Sequence, residues 1–574
     1  MLEKLLELAR LFRAEGYELY MVGGTVRDLL TRHVGAYGVR PSPDVDLATN
    51  ARPAEVKRLA NMTNPAAVVS VGEQFGTIRL HYARPEGDVT APNAEPDGLR
   101  PTELVAHPPD VDVIEITTYR SDVYSPESRK PEVTFGETLA EDLLRRDFTI
   151  NAMARDPLTG EIVDLYGGRE DLERGLIRAV GDQPEQRFDE DPLRMLRAAR
   201  FAAQLGFAIE ERTAAAIARQ AATLEKISRE RIRDEFTKLL LTPNPAAGIR
   251  LLVDLGLMPY IVPEVQVLRG VNQALAGRSK DVYEHVLRVV ERTPLRPAAR
   301  WAGLLHDIAK PRTRSMEGGQ IHFFGHEDVG AVMARDILRR LKFDRPFIEH
   351  VSRLVKLHMR ANAYTAEWTD GAVRRLMLDA GDTLVDLLDL SRADITSYRP
   401  EKQARAAARI NDLEERIVWL RAEAERVPIK SPLDGNDLMT LFGRGPGPWL
   451  RPVKDYLLGL VIDGLLAAED RKRAAELARA FVAQSEEGAA ENAEGAEARG
   501  GRGDAERGME NAKAAKNRDE REGEFDGAPG ALPPTPGSPM PPPEAGSGGQ
   551  SAAERRRNQR RQSRGAVHGE PPAR

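Results

Sequence analysis

Apolar residues recur at intervals of three and four through residues 2–15, the spacing of an amphipathic helix. ELYMV (18–22) then reads as a short apolar strand that stops at Gly23-Gly24, after which VRDLL resumes helical spacing. DVDLAT (44–49) reads as a strand, and Pro53 sits near the start of the helix AEVKRLA. TIRLHY (77–82) and VDVIEITTYR (111–120) read as two further strands. Between them, residues 83–110 are rich in Pro, Asp, Gly and Glu and show no period, so a surface loop or disordered insertion is expected. From about 185 to about 480 the pattern is almost wholly helical, as in PLRMLRAARFAAQL, RTAAAIARQAATL and RERIRDEFTKLLL. After about 485 the chain passes into Glu/Ala/Gly, then Pro/Gly/Ser, then Arg, and such a tail buries too little apolar area to offset chain entropy. The expected fold class is therefore α+β: a mixed head, an all-helical array and a disordered C-terminus.

Composition narrows the chemistry. A chain of 574 residues exceeds a single core and implies several domains. There is no cysteine, which removes disulfides, thiolate zinc sites and cysteine nucleophiles. The charged first twenty residues contain no apolar signal core, and no run of 18 apolar residues exists, so no membrane association and a cytoplasmic address are expected. The net charge of −6 does not by itself point to nucleic acid, but basic clusters stand at 145–148, 194–201, 339–343 and 555–564.

The first chemical constellation is MVGGTVRDLL followed by PSPDVDLAT. Glycine at a strand-to-helix turn lets the backbone approach a ligand, and the free N–H groups of a helix start attract phosphate. Arg27, one turn beyond Gly24, can hold a triphosphate oxygen. Asp44 and Asp46, two apart on a strand, share a face and repel unless neutralised. Mg²⁺ does this and leaves positions open for phosphates. A lone Asp pair in a turn is commonly just solvated; the glycine turn about twenty residues earlier favours the metal.

The second is RFDEDPLRMLRAARFAAQLGF (187–207). Arg194, Arg197 and Arg200 recur every third residue along one side of a helix whose other side carries Leu193, Leu196, Phe201 and Leu205. A solvated arginine stripe with Asp191 as a helix cap explains this as well as a nucleotide site does. In the latter, Asp191 accepts from an exocyclic amino group while Arg194 donates to a ring acceptor. Cytosine and adenine present that pattern, and uracil and guanine the reverse. Arg197 and Arg200 would reach the triphosphate.

VGGTVRD, DVD, RRDFTINAMA (145–154), DLYGGREDL (164–172), EDPLRMLRAARF and SRERIRDEF (228–236) together resemble, in order and spacing, the class II bacterial CCA-adding tRNA nucleotidyltransferase and poly(A) polymerase family over roughly residues 15–460. The resemblance implies a nucleotidyltransferase head of polymerase-β type at 1–180, a base-reading neck at 181–245, a body at 246–430, a tRNA-binding tail at 431–484 and the disordered segment 485–574. It implies that Gly24, Arg27 and Arg146 bind the incoming nucleotide, that Asp44 and Asp46 hold Mg²⁺, and that Asp191 and Arg194 read the base with Arg197 and Arg200 nearby. Asp112 or Glu115 would supply a third carboxylate. The partners would be the tRNA 3′ end, ATP and CTP. Poly(A) polymerases and CC-only or A-only enzymes share these motifs.

His285, His306-Asp307, His326, His358 and Asp394 follow in the order of the HD phosphohydrolase superfamily. Imidazole with carboxylate suits Ni²⁺, Mn²⁺ or Co²⁺, which can activate water against a phosphoester; a degenerate domain kept as scaffold is the other reading. In the tail, Gly443, Gly445 and Gly447 expose backbone N–H groups for a phosphate, or mark an ordinary packed turn.

Overall fold

The computed structural model describes residues 1–31, 44–71, 76–83, 111–123, 132–273, 281–396, 399–426 and 430–485. The expected loop insertion, beyond Ala83, and the expected disordered tail, beyond Ser485, lie outside the described residues.

The head comprises α1 (Leu2–Ala14), β1 (Leu19–Val22), α2 (Gly24–Thr31), β2 (Asp44–Thr49), α3 (Pro53–Asn61), β3 (Ala67–Ser70), β4 (Thr77–Ala83), β5 (Val111–Thr118), the hairpin β6 (Arg120–Val123) and β7 (Glu132–Phe135), α4 (Leu139–Leu144), β8 (Met153–Arg155), β9 (Ile162–Asp164) and α5 (Gly168–Arg174). Seven strands form one sheet in the order β3-β4-β5-β2-β1-β8-β9. Every neighbouring pair is antiparallel except β2 and β5, which run parallel with Asp46 opposite Glu115.

Strand alternation sorts the two faces. Leu47, Ile78, Leu80, Ile114 and Ile116 point into the main core, where α1 supplies Leu8 and Phe12 and α3 supplies Val56 and Leu59. Val22, Ala48, Tyr119 and Ala154 belong to a separate small cluster with Leu143 of α4. Asp46 and Glu115 lie on this second face and are half-buried.

Beyond the head the chain is helical, beginning with α6 (Pro184–Glu190) and α7 (Leu193–Leu205), which are broken apart at Asp191-Pro192, then α8 (Glu211–Gln220) and α9 (Arg229–Leu240). Arginines on α7 do not form a solvated stripe: Arg194 is buried, and Arg197 and Arg200 are half-buried against neighbouring elements. The body helices run from Pro245 to Ala393, followed by one long helix, Pro400–Arg426. The tail has its own small core around Leu438, Val453 and Leu457. Gly443 terminates the helix Gly435–Phe442 in the left-handed region (φ 62°), and its amide donates to Met439 O. That amide is therefore spent on closing a helix and is not free for phosphate, contrary to the reading of an exposed N–H at Gly443. No helix among the described residues is long and apolar enough to cross a membrane.

Candidate active site

The head site is built where β1 turns into α2. Gly23 has φ 67°, and a Cβ there would stand 3.0 Å from Arg146 Nη1 and 3.9 Å from Asp46 Oδ2. The glycine is thus needed for backbone conformation and for the close approach of an arginine and a carboxylate. At Gly24, by contrast, a Cβ would be 3.4 Å from Arg27 Nη2, ordinary contact. Sequence reasoning stressed Gly24; the position that requires glycine is Gly23, and the Gly-Gly pair was its only signal. Thr25 Oγ1 accepts from the Asp46 backbone N–H at 3.1 Å, tying the start of α2 to β2.

Register separates the two candidates for a third carboxylate by face. Asp46 faces Glu115 across the parallel pair, so both lie on one face, and position 44 shares it two residues earlier. Asp112 falls on the opposite face, where its carboxylate meets the N-terminal amine at 3.2 Å. Glu115 accepts from Arg79 Nε at 2.7 Å across β4.

Arg27 is buried, donating to Asn151 Oδ1 and Asp28 Oδ1, both at 2.8 Å. Arg146 is positioned by α4, whose start is fixed by a capping box between Thr138 and Glu141. Asp142 on that helix accepts from Arg146 Nη2 at 2.8 Å and from Arg145 Nη2 at 2.6 Å. Burial pushes the Asp142 carboxyl up, but Arg146 and Arg145 outweigh it and hold it below the usual carboxylate range. Arg146 Nε is buried without a hydrogen-bond partner among the described residues, while its Nη1 reaches the Gly23 turn that Asp46 Oδ2 also approaches, a guanidinium placed to suit a phosphate oxygen.

The neck residues take partners that sequence spacing did not reveal. Asp191 pairs with Arg231 at 2.7 Å, not with Arg194. Arg194 donates to Glu190 Oε2 at 2.5 Å, to Arg187 O at 3.0 Å and to Arg145 O at 2.6 Å, which uses three of its five N–H groups. Arg197 grips Asp147 at 2.8 and 2.6 Å. Burial opposes ionisation of Asp147, yet Arg197 and Asn151 bring its carboxyl down to about 2. Arg200 pairs with Glu235 and lies over the Phe201 ring, which also meets Arg27 from the head. Arg197 and Arg200, expected to reach the triphosphate, have carboxylate partners here: Asp147 of RRD in the head and Glu235 of α9 within the neck.

A second cluster lies in the body. His285 comes from the helix Val282–Arg292, His306 and Asp307 from the end of Pro297–Leu305, His326 from the start of His326–Arg340, His358 from Arg345–Asn362, and Asp394 from the end of Leu384–Ala393. Their donor atoms converge. Asp307 Oδ2 is 3.3 Å from both His285 Nε2 and His306 Nε2, and its Oδ1 is 3.4 Å from His326 Nε2 and 3.9 Å from His358 Nε2. Asp394 Oδ1 lies 3.1 Å from His285 Nε2. Two donor sets, His285/His306/Asp307 and Asp307/His326/His358, therefore share one carboxylate.

Each histidine presents Nε2 because its Nδ1 is engaged elsewhere: His306 with Gly303 O, His326 with Phe323 O, His358 with Val355 O and His285 with Thr396 Oγ1. Such outer contacts orient imidazoles for metal ligation. Burial drives the His358 imidazole down to about 4, leaving it neutral. Asp307 is held well below the usual carboxylate range because the neighbouring His306 and Lys310 outweigh its burial. The acids beside His285 and His326 outweigh burial and raise those two imidazoles, so the fit to a metal rests on the donor set itself, imidazole Nε2 atoms converging on the Asp307 carboxylate, which a borderline divalent metal takes.

Residues 19–178 match the family described as the poly A polymerase head domain, 206–268 that of the probable RNA and SrmB-binding site of polymerase A, and 282–399 the HD domain. Fold and site together define a nucleotidyltransferase joined to an HD domain. The CCA-adding enzyme of Geobacillus sp. (strain WCH70) is 31% identical over 471 residues, covering 80% of this chain and 93% of the relative. The A-adding tRNA nucleotidyltransferase of Deinococcus radiodurans is 37% identical over 326 residues, covering 54% and 72%. The crystal structure of the Bacillus stearothermophilus CCA-adding enzyme in complex with CTP superposes with a TM-score of 0.55 at 28% identity, covering 84% of this chain and 98% of that one. The chain belongs to the class II CCA-adding tRNA nucleotidyltransferase family.

Proposed function

We propose that this chain adds C, C and A, from CTP and ATP, to the 3′ end of tRNA without a nucleic-acid template. The observation that carries the reading is the meeting of Gly23, Asp46 and Arg146 at one point of the sheet, with Glu115 on the same face, in a chain of this family. Asp44, Asp46 and Glu115 would hold Mg²⁺, which supplies positive charge to the attacking 3′-hydroxyl and the departing pyrophosphate. Arg146 offers its unpaired Nε–H, and the start of α2 its backbone amides, to the triphosphate. Gly24 and Arg27 line that turn. The ribose 3′ oxygen attacks the α-phosphorus, the bond to the β-phosphate oxygen breaks, and pyrophosphate leaves.

Asp191 and Arg194 would read the base. Arg194 is already fixed by Glu190 and two carbonyls with two N–H groups to spare, and the Asp191–Arg231 pair is exposed enough to open. An Asp/Arg pair matches the amino-donor and ring-acceptor edge shared by cytosine and adenine. Incubating the protein with Mg²⁺, each NTP singly or in pairs, and tRNA lacking CCA, CA or A, then reading product lengths, tests this. Incorporation of A alone would reassign the chain to A addition, and long A tails to polyadenylation. Asp191→Ala should raise misincorporation of UTP more than it weakens triphosphate binding, because it removes the acceptor that pairs with the amino group of cytosine or adenine and repels the O4 carbonyl of uracil.

A second, metal-dependent phosphohydrolase activity in the body is favoured by the paired donor sets around Asp307. Ni²⁺, Mn²⁺ or Co²⁺ would be held by His285, His306, Asp307, His326, His358 and Asp394, and would supply the Lewis acidity for water attack on a phosphoester. Elemental analysis after loading with each ion, followed by hydrolysis assays on nucleotide phosphoesters, tests it.

A further inference from the structure

The long helix Pro400–Arg426 lies beyond the residues matched to the HD domain, 282–399. It nevertheless walls the cavity of about 350 Å³ onto which His285, Asp307, His358 and Asp394 open, a volume within the range of small-ligand sites. Two cations of this helix, Lys402 and Arg409, line that cavity and are exposed. Neither has a side-chain hydrogen bond or ion pair among the described residues. Arg416 of the same helix pairs with Asp370 and Arg392 with Asp389, whereas Arg405, between Lys402 and Arg409, does not line the cavity. Two neutral donors on the cavity wall are also unspent. Ser391 Oγ and Gln273 Nε2 are buried without a partner among the described residues, a state that costs free energy unless something else accepts from them.

A guest that satisfies this wall must bring several acceptor oxygens and negative charge, as phosphate does. Lys402 and Arg409 are seven residues apart, two helical turns and about 10 Å along the axis. That spacing suits two anionic groups better than one. Ile410, on the same helix, and Ile395 give the cavity apolar surface for a nucleobase.

We propose that Lys402 and Arg409 are the substrate-holding residues of the body site, gripping successive phosphates of a ribonucleotide 3′ end while its terminal phosphoester faces Asp307. This rests on the phosphohydrolase reading above. In the reaction water adds to phosphorus, the P–O3′ bond breaks, the 3′ oxygen takes a proton and inorganic phosphate leaves. Lys402 and Arg409 touch substrate and make no contact with the metal donors, so their loss should weaken binding without emptying the centre.

The test uses the full chain and two probes, adenosine 3′-phosphate and the dinucleotide ApAp, which carries a second phosphate. Affinity is measured by calorimetry with and without Mn²⁺, bound manganese by elemental analysis, and KM and kcat by phosphate release. In Lys402→Ala/Arg409→Ala, affinity for ApAp should fall about ten- to a hundredfold, the loss of one or two charge-assisted hydrogen bonds. Adenosine 3′-phosphate should lose less. KM should rise with kcat and manganese content unchanged, and Lys402→Arg with Arg409 intact should bind ApAp as the unaltered protein does. Both residues are exposed, and CCA addition provides a check of folding. Unchanged ApAp affinity and KM in the double variant would overturn the proposal while leaving hydrolysis intact. Binding that depends on Lys402 and Arg409 in a protein that hydrolyses nothing would sustain the grip and overturn the phosphohydrolase reading. Absence of binding by the unaltered protein overturns both.

Discussion

Replacing Gly23 by alanine separates backbone need from simple crowding at the head site. At φ 67° an L residue with a Cβ is strained by roughly 1–2 kcal/mol. The added carbon would also sit 3.0 Å from Arg146 Nη1, closer than an unstrained contact. Arg146 cannot swing aside freely, because Asp142 holds it at 2.8 Å from a buried helix position. Either the turn or the arginine moves by several tenths of an ångström, at the point where Asp46 also approaches. The expected stability loss is therefore about 1–2 kcal/mol. The activity loss should be larger, about a hundredfold in kcat, because displacements on this scale spoil in-line geometry. Gly24→Ala is the matched control: its Cβ would meet Arg27 at an ordinary 3.4 Å and its φ is not positive. Single-turnover addition of CMP to tRNA lacking CCA, with thermal unfolding of each variant, measures both effects. Gly23→Ala with near-normal turnover, or Gly24→Ala as damaging as Gly23→Ala, would refute the argument.

Three further predictions follow from contacts across the fold. Glu115→Gln should reduce nucleotide addition by at least tenfold while Asp112→Asn leaves it within about twofold, since only Glu115 shares the face of Asp46; equal effects in the same kinetic assay would undo the face assignment. Asp147→Asn should destabilise the head–neck junction by about 2 kcal/mol at neutral pH, from a carboxyl brought from near 4 to about 2. Because the folded value is the lower one, that stability is present above about pH 4 and is lost as pH falls toward 2; hydrogen exchange of residues 145–155 and 193–205 against pH reads it, and an unchanged profile in the variant would contradict it. Asp307→Asn should lower bound Mn²⁺ by elemental analysis at both donor sets at once, since they share this carboxylate, while CCA addition continues; retention of full metal content would remove Asp307 from the centre.

Much of the molecule is written locally. The helical spacing of residues 2–15, the strand at 44–49, the glycine turn and the all-helical array after 185 each depend on near neighbours in the chain, so period and composition suffice to read them. The order His285, His306-Asp307, His326, His358, Asp394 is likewise visible as a list. What pairs with what is a different matter. Alternation along β5 says that Asp112 and Glu115 face opposite ways, but only the parallel register with β2 says which of them joins Asp46. Spacing along α7 shows three arginines in a row; their carboxylates, Glu190, Asp147 and Glu235, come from an adjacent helix, the head and α9. A buried guanidinium must be neutralised wherever the nearest carboxylate lies in space, and sequence separation carries no information about that distance. The same holds for Asp307, whose two oxygens serve two histidine sets brought together from helices that run from Val282 to Asn362. Local physics determined the elements, and tertiary packing decided which charges meet, because Coulomb and coordination forces act through space and not along the chain.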